Sequence, residues 1–303
     1  MQTILGSSGI IGTELAKNLT QYTDKIRLVS RSPKQVNPTD ETMSADLINA
    51  EQVNEAVRGS EVVYLTVGLP YKLSVWEKYW PIIMTNVIDA CKQHGAKLVF
   101  FDNVYMYGKV DGWMTEETPM NPRSKKGEIR ARIARQLMDE VGKGNIKALI
   151  ARSADFYGPH ATNTFVYSMI FEKLKNGKKA NWLVNDKVKH SHTYTPDAGK
   201  ATALLGNTEN AYNQIWHLPT DKNVLTGKQF IEKVAEAYHV KPKYAVMSKW
   251  MMKMAGLFNP LAKESIEMLY QNEYDYLFDS TKFEKAFFKA TSYLTGIAEV
   301  VNR

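Results

Sequence analysis

The sequence predicts a doubly wound parallel α/β sheet with a smaller, mostly helical lobe toward its C-terminus. Three observations predict it. Short apolar runs of strand length recur through the first half, each separated from the next by a stretch of helical period. Strands of that kind belong to a parallel sheet covered by helices on both faces. The first run also leads straight into a glycine-rich turn, and after Gly158-Pro159 the alternation gives way to a different texture.

Taken in order, Thr3-Ile4-Leu5 is the first strand, and Ile10-Ile11 through Leu15-Ala16 to Leu19 has helical spacing. Ile26 to Val29 is a second strand, Leu47 to Val57 a short helix, and Val62 to Leu65 another strand. Ile82 to Cys91 reads as a helix and Leu98 to Phe101 as the next strand, followed by a long polar loop. Ile129, Ile133, Leu137 and Val141 recur every four residues, the mark of an amphipathic helix. Ala148 to Ala151 closes the series, and right-handed crossovers through these helices join the parallel strands.

Beyond residue 160 the sequence predicts helices at Val166 to Leu174, Phe230 to Tyr238 and Trp250 to Leu257, with an extended piece at Gln214 to Leu218. Thr226 with Gln229 fits a capping box opening the second of these helices. The division that follows is a dinucleotide-binding Rossmann domain over 1–160, to which about 190–220 returns. A smaller substrate lobe covers 161–189 and 221–303.

Composition narrows the function classes. At 303 residues with 44% hydrophobic and 23% charged residues, the chain is globular and not broadly disordered. Lys and Arg number 39 against 32 acids, and the resulting +7 favours an anionic partner without choosing between nucleic acid and a phosphorylated small molecule. The single cysteine, Cys91, excludes an internal disulfide and a cysteine-based zinc site. No apolar run approaches a membrane span, and the first residues lack the regions of a signal peptide. A cytoplasmic protein with no membrane partner is the expectation.

Gly6-Ser7-Ser8-Gly9-Ile10-Ile11-Gly12 stands between the first strand and the first helix with the spacing G-x-x-G-x-x-G. Glycines there permit a tight turn and close backbone approach, and the amides of a helix N-terminus receive a pyrophosphate. The second strand ends in Val29-Ser30-Arg31-Ser32, with no carboxylate where an NAD site usually offers one to the ribose. Arg31 can pair with a 2′-phosphate, which an acid would repel. NADP is therefore expected ahead of NAD.

With these residues the chain resembles the extended or atypical short-chain dehydrogenases/reductases, the NAD(P)-dependent epimerase/dehydratase group. Ala45-Asp46-Leu47, Thr66-Val67-Gly68, Asn86, Tyr107-Gly108 and Arg152 to Pro159 fall where that family has matching pieces, as do Thr291 to Tyr293 and Gly296-Ile297. The resemblance implies that Asp46 and Leu47 flank the adenine and that Thr66, Val67 and Gly68 line the ribose and nicotinamide side. It extends the cofactor set to Asn86, Asp155 and Phe156.

The family's catalytic trio is a Ser or Thr followed by Tyr and Lys in Y-x-x-x-K, and here it is not retained. Asn103 stands at the first position, Lys126 where Tyr is expected, and Arg130 where Lys is expected. Lys126 and Arg130 lie one helical turn apart on one face. Three readings of Lys126 follow: a neutral general base, a cation that polarises a carbonyl, or a group that binds a phosphate or carboxylate. Arg130 can hold the ribose, and Tyr105 is an alternative acid in the loop after the fifth strand.

Three further features bear on partners and packing. Glu172 to His192 is lysine-rich and contains Trp182, which suits either a solvated surface or a phosphorylated ligand. No nucleic-acid-binding module accompanies it, so nucleic acid is not an expected partner. His190 and His192 alternate along an extended piece, for which a structural role is expected and no metal. Met247, Met251, Met252 and Met254 with Trp250 and Phe258 are expected to pack the core of the small lobe. The implied activity is hydride transfer at nicotinamide C4 with a carbonyl or hydroxyl substrate, a sugar nucleotide or other phosphorylated small molecule among the candidates. A non-catalytic NADP sensor is the alternative. A homodimer is compatible with either.

Overall fold

The computed structural model describes residues 1–302. The first half runs β1 (Gln2–Leu5), α1 (Ile10–Leu19), β2 (Ile26–Ser30), β3 (Glu41–Ser44), α2 (Ala50–Val57), β4 (Val62–Leu65) and α3 (Leu73–His94). It continues with β5 (Lys97–Asp102), β6 (Trp113–Met114), α4 (Lys125–Gly142) and β7 (Ala148–Arg152). The second half begins with β8 (Asp155–Tyr157), α5 (Glu172–Lys175), β9 (Ala180–Leu183), β10 (His192–Tyr194), α6 (Thr195–Gly206) and β11 (Ile215–His217). It ends with α7 (Gly227–Ala237), β12 (Tyr244–Met247), α8 (Lys249–Ala255), α9 (Pro260–Ser265), β13 (Leu277–Phe278), α10 (Thr281–Ala286) and α11 (Tyr293–Val301).

Seven strands form one sheet in the order β11-β7-β5-β4-β1-β2-β3, with every neighbouring pair parallel. The predicted fold class is therefore the observed one. Side chains alternate between two cores, as the strand period requires. Leu5, Leu98 and Phe100 face the core beneath α2, α3 and α4, whereas Ile4, Val99 and Leu149 face the core beneath α1 and α6. A third cluster, built on Tyr157, Phe171, Trp182, Phe230 and Tyr293, holds the lobe together.

Local chemistry explains most element ends. Asn49 accepts from the Gln52 amide at 3.0 Å and starts α2 at Ala50, so the helix begins later than the apolar pattern implied. Both halves of the Thr226–Gln229 capping box are present at α7. Helix α3 starts well before Ile82, because Trp76 and Trp80 anchor its first turns in the core and the helix continues through Pro81. The expected helix at Val166 to Leu174 is a π-helical turn over Tyr167–Phe171 that runs into α5.

The methionine-rich segment corrects one expectation. Met252 alone of α8 is buried, while Trp250 is 68% exposed and Phe258 88% exposed. Helices α8 and α9 contribute one side to the lobe and leave the other, apolar side outward. The lysine-rich stretch is a solvated face at Lys175, Lys178, Lys179, Lys187 and Lys189, with Trp182 turned inward instead.

Candidate functional site

The strand order reverses between β1 and β4, and the C-terminal ends of those strands open into a cleft of about 500 Å³. In an open α/β sheet that switch point is where a ligand lies. The glycine turn forms its floor. Gly6 has φ +99°, and a Cβ there would fall 2.5 Å from the Val67 Cα. A Cβ at Gly12 would fall 2.7 Å from the Gly6 carbonyl oxygen, so these two glycines are demanded by the turn itself. Gly9 is different. Its φ is −79°, and a Cβ would meet only the Gly6 oxygen at 3.4 Å. It caps α1 without any side-chain hydrogen bond, and the first turn carries no acid. The amide end of α1 is thus left for an anion.

Gly6, Ser8, Gly9, Ser30, Arg31, Asp46, Leu47, Val67 and Gly68 all line this cleft. The Ser8 and Ser30 hydroxyls lie 2.7 Å apart and link the turn to the end of β2. Arg31 is exposed at that end. Ser7, Ile11 and Gly12 turn into the protein, Ile10 is half-buried, and Thr66 donates from its hydroxyl to the Leu5 oxygen at 3.3 Å. Asn86 acts from behind, donating to the Leu47 carbonyl at 3.0 Å and so fixing the loop that carries Leu47.

The expected catalytic residues are placed elsewhere. Lys126 is fully buried, and its ammonium donates to the Glu264 carbonyl at 3.0 Å, the Glu264 carboxylate at 2.7 Å and Glu267 at 2.9 Å. An ammonium has three N–H bonds, and all are committed, so neither a lone pair nor a spare donor remains for a substrate. Lys126 joins α4 to the segment that walls the lobe. Arg130 donates from Nε and Nη2 to one Asp102 oxygen at 2.8 and 2.5 Å and lies 4.4 Å over Trp80. Asp102 also takes Arg152 Nε at 3.3 Å, and Arg152 reaches Tyr107, which reaches His217. Asn103 spends its side-chain oxygen on the Tyr105 amide at 3.1 Å. Phe156 packs on Phe101.

Tyr105 and Asp155 do come together, in a second cavity of about 80 Å³ between the sheet and the lobe. Tyr105 stacks on Trp76 and shares the cavity wall with Tyr71 and His190. The Asp155 carboxylate and the His190 Nε2 are 2.9 Å apart. Burial works against the Asp155 carboxylate, but the hydrogen bond and charge of His190 outweigh it and hold the carboxyl below its usual range. Burial pushes the Tyr105 phenol well up, and the Tyr71 phenol with it. His190 Nδ1 is buried without a hydrogen-bond partner.

Sequence reasoning missed Tyr71 and assigned His190 a structural role. The signal for His190 lies in the parallel pairing of β10 with β8, where His192 aligns with Asp155. Among the described residues, no group of His, Cys, Asp or Glu is arranged to hold a metal ion, and no helix is long and apolar enough to cross a membrane.

A seven-stranded parallel sheet with a glycine turn at its switch point defines a protein of the Rossmann class. Residues 3–216 match the NAD dependent epimerase/dehydratase family, and the chain belongs to that family. An uncharacterized protein, y4nL, from Sinorhizobium fredii (strain NBRC 101917 / NGR234) is 26% identical over 208 residues. That match covers 66% of this chain and 57% of the relative, so the chain spans little more than half of that relative's length. A dTDP-glucose 4,6-dehydratase double mutant from Streptomyces venezuelae, solved with NAD, has a TM-score of 0.82 at 14% identity, covering 100% of this chain and 96% of its own. A Thermus thermophilus UDP-glucose 4-epimerase complexed with NAD gives 0.81 at 18% identity, covering 100% and 98%. A UDP-glucuronic acid 4-epimerase from Bacillus cereus, also with NAD, gives 0.82 at 14% identity, with the same coverage. At these identities the likeness is one of fold.

Proposed function

We propose that the protein is an NADP-dependent oxidoreductase or epimerase-like enzyme acting on a carbonyl or hydroxyl substrate. The observation that carries this reading is the shared cleft: the uncapped amide end of α1 and the Arg31 side chain border one space. The residues fit a dinucleotide. Gly9 is a glycine that the turn's own sterics do not require, which is what a site of close backbone approach to a pyrophosphate would show. Gly6, Ser8 and Gly9 would hold the diphosphate, Ser30 and Arg31 the 2′-phosphate, and Asp46 and Leu47 the adenine side. When bound, the nicotinamide supplies or accepts hydride. The chain's own task is to bind the substrate and exchange one proton at its oxygen, for which Tyr105, Tyr71 and the Asp155–His190 pair are the candidates. Sugar nucleotides, named with the similar structures, are one candidate substrate class.

Calorimetric titration with NADPH and NADH tests the cofactor. NADPH should bind more tightly, and Arg31→Ala should cost about tenfold in NADPH affinity while leaving NADH little changed. No binding of either nucleotide would end the reading, and an equal loss for both would remove the role of Arg31. The commitment of Lys126 and Arg130 to ion pairs with carboxylates of this chain favours a second reading, a non-catalytic NADP sensor. Tight NADPH binding without turnover over a broad carbonyl panel would select it.

A further inference from the structure

The inner cavity differs in chemistry from a nucleotide-sugar site. Phe165, Val166, Met169, Trp182, Leu183 and Met268 give it an apolar wall, and among the described residues no lysine or arginine lines it. Lys126 lies 4.7 Å over the Tyr71 ring with every N–H committed to Glu264 and Glu267. The one charged group that faces the cavity as an acid is Asp155. A nucleoside diphosphate brings negative charge that is best met by lysine or arginine, and the Asp155 carboxylate, paired with His190 at 2.9 Å, offers it no cation of that kind. Size points the same way. On the measure by which a single water takes roughly 10–15 Å³, about 80 Å³ suits a small organic molecule.

We propose that this cavity takes a small, uncharged, largely apolar alcohol, aldehyde or ketone, whose oxygen meets the Tyr71, Tyr105 and Asp155–His190 group, and that it excludes nucleotide sugars. The proposal rests on the reading of the neighbouring cleft as the dinucleotide site. Polar side chains share the lining with the apolar wall, among them phenols able to donate and a carboxylate–imidazole pair able to accept or return a proton. Its wall is held by Lys126, whose ion pairs fix the segment carrying Ser265 and Met268.

The test uses the whole chain saturated with whichever of NADPH and NADH binds by calorimetry. Hexanal, cyclohexanone and UDP-glucose are then compared by saturation-transfer NMR and by cofactor absorbance. The neutral carbonyls should bind and be reduced, with UDP-glucose showing neither signal at the same millimolar concentration. Met169→Trp, which fills the cavity, should weaken the neutral ligands by about tenfold or more while the cofactor isotherm is retained. Asp155→Asn should narrow the discrimination against UDP-glucose if the charge excludes it. UDP-glucose binding as tightly as cyclohexanone overturns the proposal, as does a failure of both neutral carbonyls to bind. Loss of both cofactor isotherms is a separate result, since it falls on the dinucleotide reading while the NMR signal still reports the cavity.

Discussion

The glycine-turn cleft and the inner cavity share the C-terminal edge of one sheet and are built by opposite means. The cleft is the larger space, with the glycine turn as its floor and the loops that follow β1, β2, β3 and β4 around it, backed by Val75, Tyr79 and Ile83 of α3. The cavity is smaller and is lined by side chains from both halves of the chain, including Tyr71, Tyr105, Asp155, Trp182 and Met268. Backbone geometry can fit a constant ligand such as a dinucleotide, whereas side chains can be exchanged without disturbing the sheet. The first site is accordingly generic to the fold, and the second is where this chain sets its own chemistry.

The buried set Arg130–Asp102–Arg152 lines neither site, and removing its centre should have the largest effect. Asp102→Ala strands two guanidinium groups that are 3% and 1% exposed. Breaking a buried pair in this way costs about 3–5 kcal/mol, which urea unfolding would read as a shift in midpoint. A change below about 1 kcal/mol would mean that Arg130 is not tied to Asp102 and is available to a ligand after all. That outcome would erase the distinction between a structural Arg130 and the two ligand spaces.

The glycines sharpen the comparison from the other side. Gly6→Ala forces a Cβ against the Val67 backbone at positive φ, and should destabilise the fold by about 3 kcal/mol. Gly9→Ala should cost about 1 kcal/mol or less as a cap change, yet weaken dinucleotide binding by roughly tenfold. Unfolding and calorimetry on the two variants separate the roles. If Gly9→Ala binds NADPH as the parent does, the cleft does not use that close approach.

The same contrast explains what could be read from the sequence. The cleft was legible because each contribution is local: seven consecutive residues carry the turn, and Arg31 follows β2 directly. The sheet was legible because strands buried on both faces are continuous apolar runs. The cavity was not, since His190 meets Asp155 only after β10 pairs with β8, and Lys126 meets Glu264 and Glu267 only when the end of α9 and the turn after it reach α4. Lys126 stood at the position of a catalytic tyrosine, and nothing local to it announces two carboxylates from about the same helix pair that leaves Phe258 in solvent. Exposure of α8 was hidden for a related reason: an apolar segment signals burial, but no partner for its outer face is written in its own period.

Acid should loosen the cavity side of the molecule in a graded way. Burial, aided by the charge of His190, holds His192 down to about 3 from an ordinary 6.5, and burial likewise holds His217 to about 3. Below pH 6.5 the unfolded chain binds a proton at each site and the folded chain does not, until the pH nears 3. Both histidines therefore contribute stability that is complete above pH 6.5 and declines as the pH falls, by up to about 1.4 kcal/mol per pH unit for each. Asp155, whose carboxyl is also depressed, adds a loss of the same sign only below its ordinary 3.8. Urea midpoints at pH 7.5, 6 and 5 should fall steadily, and His192→Gln and His217→Gln should each flatten the fall. Of the two, only His192 borders the cavity. A neutral ligand that fills the cavity should therefore raise the midpoint of the parent by about the same amount at each of these pH values, because folded His192 carries no proton until the pH nears 3. A parent whose stability is level from pH 7.5 to 5 would mean that both rings stand in water, and the buried wall that His192 gives the cavity would go with it.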